Sequence, residues 1–403
     1  MTTVAILGFG VVGGGVAKLI TDNEKEVRAL GGDEIKIKYI LDLRDFPESE
    51  FADRIVHDYS VIEADREVDT VIEVMGGSHP AYEYTVRALK AGKNVISSNK
   101  EVVANFGDEF INLANEMGVC YRFEAAVGGG IPALAPIISC VKQNKISEIR
   151  GILNGTTNYI LTKMFTYGDD FDSALKDAQA RGYAERNPDA DILGTDACRK
   201  IAILTALVTG KLVPTDKIPT EGITAIRPED VKAAEKIDCS IKLLGRCVIS
   251  DAGEIAVSVA PTLIPHDKLL ASVSGVYNAI EVVGEPIGEV LFYGPGAGAG
   301  PTASAVVGDL MLLMRSGVNT AIPVFERVDL TGDFAKSLRS QYYVAMVGGC
   351  TGCASAAFGK IEEIKADGEI AYLTPAITED ELFAGKEQLK SKGISVKSVI
   401  RLL

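Results

Sequence analysis

The chain has 403 residues, 47% of them hydrophobic, and a formal net charge of -14 at pH 7. Single hydrophobic cores rarely grow beyond about 250 to 300 residues, so this length predicts two or three domains. The acidic balance argues against a nucleic-acid partner, because surfaces that bind polyanions need clustered lysine and arginine.

Membrane insertion and export are not expected. No apolar run reaches the roughly 18 to 20 residues needed to cross a bilayer, and the apolar start of the chain lacks a preceding basic region. The seven cysteines are odd in number and scattered, unlike the disulfide framework of a small secreted protein. These features predict a soluble, cytoplasmic protein without a membrane partner.

Short β-rich runs alternate with helical patterns in the first third of the chain. The predicted strands are Val4–Leu7, Ile35–Leu43, Thr70–Val74, Asn94–Ser97 and Val119–Phe123. The predicted helices are Gly13–Arg28, Tyr82–Ala91 and Asn105–Met117. This alternation predicts crossover units on a parallel, doubly wound sheet of the Rossmann type.

The middle of the chain has longer helical patterns and two late strands, which predict a separate α+β domain. The predicted helices are Ala133–Cys140, Tyr159–Tyr167, Phe171–Arg181 and Asp196–Thr209. The predicted strands are Glu254–Leu263 and Ala279–Val283. Residues 294 to 318 then combine a glycine-rich loop with an apolar helix, Thr302–Arg315, which we expect to return to the first third of the chain.

The tail, from about residue 325, predicts a small module of its own. Its elements are strand Tyr342–Val347, helix Cys353–Lys360, two strands around Asp367-Gly368, helix Glu379–Lys392 and strand Ser395–Leu402. The order β-α-β-β-α-β indicates a ferredoxin-like fold.

A glycine motif, Gly8-Phe-Gly10-Val11-Val12-Gly13, directly follows the first predicted strand and opens a helix. That context favours a dinucleotide site over a plain glycine-rich turn, because the diphosphate can bind the helix N-terminus. At the end of the second strand, Asp42 could bind a ribose 2′-hydroxyl, whereas Arg44 could bind a 2′-phosphate. We therefore expect NADP or NAD, with Arg44 favouring NADP, although an acidic strand end is also typical of a solvated turn.

Residues 182 to 200 combine carboxylates with a lysine. Asp196 and Lys200 are four residues apart, so they share one face of a helix and can pair. The apolar run that follows places Lys200 at the edge of a buried helix, where an unpaired charge is costly. The alternative is that these carboxylates have only a structural role, because acidic residues in the first turn of a helix interact favourably with its dipole. A lysine can also deliver the proton that hydride reduction of an aldehyde requires, while carboxylates hold an amino acid's ammonium and hydroxyl.

Seven motifs resemble, in order, those of homoserine dehydrogenases, over roughly residues 3 to 320. They are residues 71–77, 91–100, 124–132, 153–159, 182–200, 221–224 and 294–304. The resemblance implies NAD(P)-dependent interconversion of L-homoserine and L-aspartate 4-semialdehyde, in threonine, methionine and isoleucine biosynthesis. A nucleotide-sensing regulator that lost catalysis is the alternative, since fold alone does not fix function.

The same resemblance implies roles for individual residues. Lys200 resembles the catalytic acid and base, and Lys100 a second lysine beside the nicotinamide. The implied substrate contacts are Glu185, Asp191, Asp196, Gly182 and Tyr183. The implied cofactor contacts, beyond the glycine motif and Arg44, are Gly76, Lys100, Gly182, Glu185 and Gly298.

The stretch from Glu124 to Pro132 resembles a monovalent cation loop of that family. The backbone carbonyls of Glu124, Val127, Gly129 and Ile131 would surround a sodium ion. A tight connection without an ion is the alternative.

The resemblance also implies a domain division and a dimer or higher homo-oligomer. Residues 1–130 with 294–320 would bind NAD(P), residues 131–293 would form the catalytic and dimerisation domain, and residues 325–403 would form an ACT-like module. The tail loop Gly348-Gly-Cys-Thr-Gly-Cys353 lacks the acidic Pro-Gly turn common in such modules, which leaves effector binding open. Cys350 and Cys353 could be redox-active, bind metal or be ordinary thiols.

Overall fold

The computed structural model describes residues 1–317, 322–330, 333–366 and 369–403. They divide into two compact units. The first unit comprises Met1–Lys145, Ala202–Thr215 and Phe292–Asp329. The second comprises Ile146–Ile201, Asp216–Leu291 and Leu330–Leu403. The predicted turn at Asp367-Gly368 and the end of the predicted segment 294–320 lie outside the described residues.

Strands and helices alternate through the first third of the chain. The strands are β1 Thr2–Leu7, β2 Ile35–Leu41, β3 Ile55–Val56, β4 Thr70–Glu73, β5 Asn94–Ser97 and β6 Tyr121–Arg122. The helices are α1 Val11–Asp22, α2 Glu24–Gly31, α3 Tyr59–Ala64, α4 Ala81–Lys90 and α5 Lys100–Met117.

These strands form one parallel sheet in the order β3-β2-β1-β4-β5-β6, which is the strand order of a dinucleotide-binding Rossmann fold. Leu7 pairs with Leu41 on one side and with Glu73 on the other. The carboxyl ends of β1, β2 and β4 therefore meet at one edge of the sheet. Ligands of open α/β sheets bind at such an edge, at the point where the strand order reverses.

The middle of the chain contains both helices and long strands. The helices are α6 Leu134–Pro136, α7 Gly155–Tyr167, α8 Phe171–Ala180, α9 Asp189–Ile192, α10 Thr195–Thr209, α11 Pro228–Lys236 and α12 Ala299–Ser316. The strands are β7 Lys145–Ile152, β8 Lys211–Leu212, β9 Cys239–Ile249, β10 Ile255–Pro265, β11 Tyr277–Glu285 and β12 Gly288–Pro295.

The tail adds more elements. They are β13 Glu326–Arg327, α13 Phe334–Ser337, β14 Tyr342–Val347, α14 Thr351–Phe358, β15 Glu362–Ala366, β16 Glu369–Leu373, α15 Glu379–Ser391 and β17 Ser395–Leu402. The second sheet has the order β12-β11-β7-β9-β10-β17-β14-β16-β15. Within it β14 to β17 pair antiparallel, as in a ferredoxin-like module. Strand β17 also pairs in parallel with β10, so the tail extends the middle region's sheet. An ACT-like identity stays a prediction.

Helix α12 belongs to the core of the first unit. Its buried residues Ala303, Val306 and Leu310 join one apolar cluster with Val16 and Ile20 of α1. Gly15 lets the two helices approach, because a Cβ there would lie 3.2 Å from the carbonyl oxygen of Ala299. The glycine-rich segment before α12 is thereby tied to the nucleotide-binding motif.

The fold class agrees with the sequence prediction, while several element bounds do not. The predicted helix Gly13–Arg28 is two helices, because α1 ends before Asn23, whose φ of -111° and ψ of 30° are not helical. Helix α5 begins at Lys100, five positions before the predicted Asn105, since Asn99 accepts from the N–H groups of Glu101 and Val102.

Strands β7 and β9 escaped the sequence prediction because they bury charges. Glu148 on β7 accepts hydrogen bonds from Arg150, at 3.1 Å, and from Arg246 on β9, at 2.8 Å. Paired charges in buried strand positions erase the apolar pattern by which strands are recognised. Within the described ranges, no helix is long and apolar enough to cross a membrane.

Candidate active site

The glycine motif of the first unit forms a tight turn between β1 and α1. Gly8 has φ +98°, a left-handed conformation that a side chain would strain. A Cβ on Gly13 would lie 1.9 Å from the carbonyl oxygen of Gly8, so α1 touches the turn only because no side chain intervenes. Gly10 precedes α1 and faces open space, and Val11 is 75% exposed. Val12 is half-buried against the core. A diphosphate fits this open helix N-terminus.

Asp42 and Arg44 follow β2 at the same sheet edge and bind each other. The Asp42 carboxylate accepts the N–H of Phe9, inside the glycine turn, at 2.9 Å and two guanidinium hydrogen bonds from Arg44 at 3.0 and 3.1 Å. Arg44 holds the pKa of Asp42 down to about 2. The guanidinium also lies 5.0 Å from the ring centre of Phe46. Arg44 is thus an exposed cation held beside Asp42 at the carboxyl end of β2.

A buried acid, Glu73, lies under the loop that follows β4. Its carboxylate accepts from the N–H of Met75 at 2.9 Å and from the hydroxyl of Ser97. Burial raises the pKa of Glu73 to about 7. This contact fixes the start of the loop that contains Gly76, which is exposed and faces open space.

Lys100 is the first residue of α5 and is half-buried. The amide of Asn99 donates to the carbonyl of Gly77 at 2.7 Å, and the N–H of Asn99 donates to Ser97 at 3.0 Å. These bonds connect the loops after β4 and β5, so the sheet edge that bears the glycine motif also bears Lys100.

The loop of residues 124 to 131 is tightly packed. The Glu124 carboxylate accepts the N–H groups of Ala133, Leu134 and Ala135 at 2.7, 2.8 and 2.7 Å. Burial raises the pKa of Glu124 to about 7. That side chain caps a helix, and the backbone carbonyl of Glu124 accepts the N–H of Val127 at 3.5 Å.

The other predicted cation ligands lie in a loop whose backbone conformation requires glycine. Gly128 and Gly129 have φ of +77° and +55°. A Cβ on Gly129 would lie 2.6 Å from the carbonyl of Gly296, so the loop contacts the second glycine-rich segment directly. Val127 and Ile131 are buried. Gly298, with φ +117°, precedes α12 in that second segment.

Lys200 of the second unit lies in a buried polar cluster. Its Nζ donates to the Asp196 carboxylate at 2.8 Å and to the carbonyl of Leu153 at 2.7 Å. Only 6% of Lys200 and 3% of Asp196 are exposed. The predicted i,i+4 pair therefore exists, and the low dielectric around it makes the charges interact strongly.

Asn154 completes this cluster. Its amide donates to Asp191 at 2.7 Å and to Asp196 at 2.9 Å, while its carbonyl oxygen accepts the N–H of Thr157 as the cap of α7. Burial raises the pKa of Asp191, against the opposing hydrogen bond from Asn154. One amide thus sets the positions of both carboxylates.

The turn from Gly182 to Glu185 precedes the cluster and is largely exposed. Gly182 has φ +75°, and Glu185 is exposed with its backbone carbonyl bonded to Gln179. Tyr183 packs against the ring of Tyr159, and its carbonyl accepts from Thr156 at 2.6 Å. The structure therefore brings Asp191, Asp196 and Lys200 together and leaves Glu185 at the surface.

Residues 153–159 form one of the seven motifs, but no role was predicted for Asn154. The sequence did contain a signal for such a role. Asparagine directly before a helix is a preferred cap, and while its side-chain oxygen caps the helix, its NH₂ group can still donate two hydrogen bonds. What could not be read was that its partners lie 37 and 42 positions away.

A Rossmann sheet with an open glycine turn, in a chain that also buries a lysine against a carboxylate, is typical of an NAD(P)-dependent oxidoreductase. A family model described as the NAD-binding domain of homoserine dehydrogenase matches residues 8–124, and one described as homoserine dehydrogenase matches residues 132–311. The chain belongs to the homoserine dehydrogenase family. The resemblance of its motifs is thereby confirmed, as are its enzyme class and its NAD(P) cofactor.

Individual relatives agree with this assignment. The homoserine dehydrogenase of Neisseria gonorrhoeae is 41% identical over 314 residues, which are 77% of this chain and 72% of that protein. The crystal structure of the enzyme from Thiobacillus denitrificans has a TM-score of 0.91 at 32% identity and covers 100% of this chain and 98% of its own. A hyperthermophilic archaeal homoserine dehydrogenase mutant in complex with NADPH has a TM-score of 0.68 at 28% identity, covering 79% and 99%.

Proposed function

We propose that the chain interconverts L-homoserine and L-aspartate 4-semialdehyde in the cytoplasm, within threonine and methionine biosynthesis. The observation that carries this proposal is the buried pair of Lys200 and Asp196, held beside Asp191 by Asn154. A buried lysine that contacts a carboxylate and a carbonyl is suited to proton transfer at an alcohol carbon.

Lys200 moves the proton that accompanies hydride transfer. In the oxidation of homoserine its amine accepts the proton of the substrate hydroxyl, and in the reverse reaction its ammonium returns that proton to the nascent alkoxide. A bound nicotinamide supplies or accepts the hydride. Lys100 acts as a second cation for the reacting oxygen, which develops negative charge during reduction.

Carboxylates select an amino-acid substrate. Asp191 and Asp196 bind the hydroxyl and ammonium groups, and Glu185 with Gly182 and Tyr183 completes the substrate contacts from the neighbouring turn. Asn154 is a positioning residue, because it donates to both buried carboxylates.

A sodium ion bound by carbonyls of Glu124, Val127, Gly129 and Ile131 would rigidify the loop that packs on Gly296. Carbonyl oxygens suit such a hard cation. We also propose a homodimer, which equilibrium sedimentation tests directly; a single-chain species at micromolar concentration would contradict it.

The function is tested by following nicotinamide absorbance with L-homoserine and either NADP or NAD. We expect turnover with L-homoserine, none with D-homoserine, and a lower KM for NADP than for NAD. Arg44→Ala should remove the preference for NADP while leaving kcat unchanged, because Arg44 would contact the ribose 2′-phosphate and not the nicotinamide. Absence of turnover with both cofactors would refute the proposal.

A further inference from the structure

A pair of cysteines begins α14 in the tail. The sulfur atoms of Cys350 and Cys353 are 2.8 Å apart, and the N–H of Cys353 donates to the sulfur of Cys350 at 3.3 Å. Cys350 is the cap residue of the helix and is exposed, whereas Cys353 is half-buried against the apolar core of the tail. The two thiols are therefore held within about 1 Å of disulfide contact, since an S–S bond is about 2.05 Å long.

The other cysteines lack this setting. Cys120, Cys198, Cys239 and Cys247 are buried, and burial raises the pKa of the first three. Cys140 is exposed, but its hydrogen bond is to Ser139. By contrast, hydrogen bonds from the Cys353 thiol and backbone, with the nearby charge of Lys392, lower the pKa of Cys350. A thiolate is the reactive form in disulfide exchange.

We propose that Cys350 and Cys353 are a redox-active dithiol that is oxidised to a disulfide by small disulfides of the glutathione class. The exposed Cys350 is the attacking sulfur and the half-buried Cys353 is the resolving one. A two-cysteine site also favours exchange over metal binding, because no group of three or more His, Cys, Asp or Glu side chains in the described part of the chain could hold a metal ion.

The reaction balances with the small disulfide as the oxidant. The Cys350 thiolate attacks one sulfur of that disulfide and expels the other as a thiolate, which takes up a proton. Cys353 then loses its proton and attacks the Cys350 sulfur, which releases the second thiolate. The two cysteines lose two electrons and two protons, and the small disulfide becomes two thiols.

The full-length protein is equilibrated in buffers of reduced and oxidised glutathione, quenched with acid, alkylated and analysed by mass spectrometry. We expect an internal disulfide between Cys350 and Cys353 in the wild type. Cys353→Ser should accumulate one glutathione on Cys350, and Cys350→Ser should form no internal disulfide. In Cys353→Ser, glutathione should be added to Cys350 about 10-fold faster than to Cys140. The Cys140→Ser variant shows which of the modified peptides contains Cys140.

Two outcomes would overturn the proposal. One is a Cys350–Cys353 pair that stays reduced in the most oxidising buffer, with glutathione spread equally over Cys350 and Cys140. The other is a reduced protein that binds zinc tightly through both sulfurs and thereby resists oxidation. Because the reaction does not use Lys200, Lys200→Ala must still form the disulfide, which separates this test from that of the dehydrogenase.

Discussion

The two sites of this enzyme are built in opposite ways. The glycine turn of the first unit depends on the absence of side chains, because a Cβ on Gly13 would lie 1.9 Å from the carbonyl oxygen of Gly8. The cluster around Lys200 works through side chains that are present and buried, joined by hydrogen bonds of 2.7 to 2.9 Å. The glycine turn is therefore vulnerable to added atoms, and the buried cluster around Lys200 to removed ones.

The largest expected effect comes from removing the lysine at the centre of the second site. Lys200→Ala should lower kcat by about 1,000-fold or more, because it removes the group that we propose exchanges a proton with the substrate oxygen. Binding of the dinucleotide, followed by fluorescence titration, should change little. A variant with near-normal kcat would break the comparison, since the second site would then not depend on its buried side chain.

The first unit also contains a buried acid, and Glu73 should make stability depend on pH. Its pKa is about 7 against an ordinary value of 4.5. Between those values the unfolded chain has lost a proton that the folded protein keeps, so stability falls as pH rises and levels off above about 7. Relative to Glu73→Gln, the wild-type free energy of unfolding should fall by on the order of 3 kcal/mol from about pH 4 to pH 8.

Urea unfolding of both proteins across that pH range measures the difference. Other carboxyl groups titrate in both proteins and cancel. A difference that does not change with pH would show that folding does not shift the pKa of Glu73.

Adjacent glycines in α1 provide a matched pair for the turn. Gly13→Ala should raise the KM for the dinucleotide about 100-fold and destabilise the protein by roughly 1 to 3 kcal/mol, because its Cβ displaces the helix from the turn. A Cβ on Gly14 meets no atom within 4 Å, so Gly14→Ala should leave the folded protein at least as stable. Steady-state kinetics and thermal unfolding compare them. Equal behaviour of the two variants would contradict the close approach.

Asn154 tests whether positioning and capping can be separated. Asn154→Ser keeps a helix cap but loses the amide that donates to both carboxylates, so the KM for homoserine should rise about 10-fold and the protein should lose roughly 1 to 3 kcal/mol of stability. Asn154→Ala should show the same rise in KM and lose about 1 kcal/mol more than Asn154→Ser, because it also loses the helix cap. If Asn154→Ser has the wild-type KM for homoserine, the amide of Asn154 does not position the two carboxylates.

Sequence prediction succeeded where the determining contacts are local. Strands Asn94–Ser97 and Ser395–Leu402 were predicted to the residue, because alternation and flanking turns define them. The pairing of Asp196 with Lys200 also follows from spacing on one helix. The glycine motif is local too, and its tight turn follows from residues six positions apart or fewer.

Prediction failed where partners are distant. Lys242 is 4% exposed in β9 and bonds to the carbonyl of Val273 across 31 positions, so its charge disguised a buried strand. Burial lowers the pKa of that lysine to about 8, a property set wholly by tertiary surroundings. Asn154 belongs to the same class, because a capping residue becomes a positioning residue only when Asp191 and Asp196 fold against it.

The pairing of β17 with β10 has a consequence for the middle region taken alone. Thr262 and Leu263 of β10 pair with Arg401 and Leu402 of β17. Without β17, this part of the β10 edge would have unpaired backbone N–H and C=O groups. Exposed edge strands pair with strands of other chains, which leads to aggregation. The tail therefore covers part of this strand edge, and we expect a chain cut after residue 330 to aggregate while its nucleotide-binding unit is still folded.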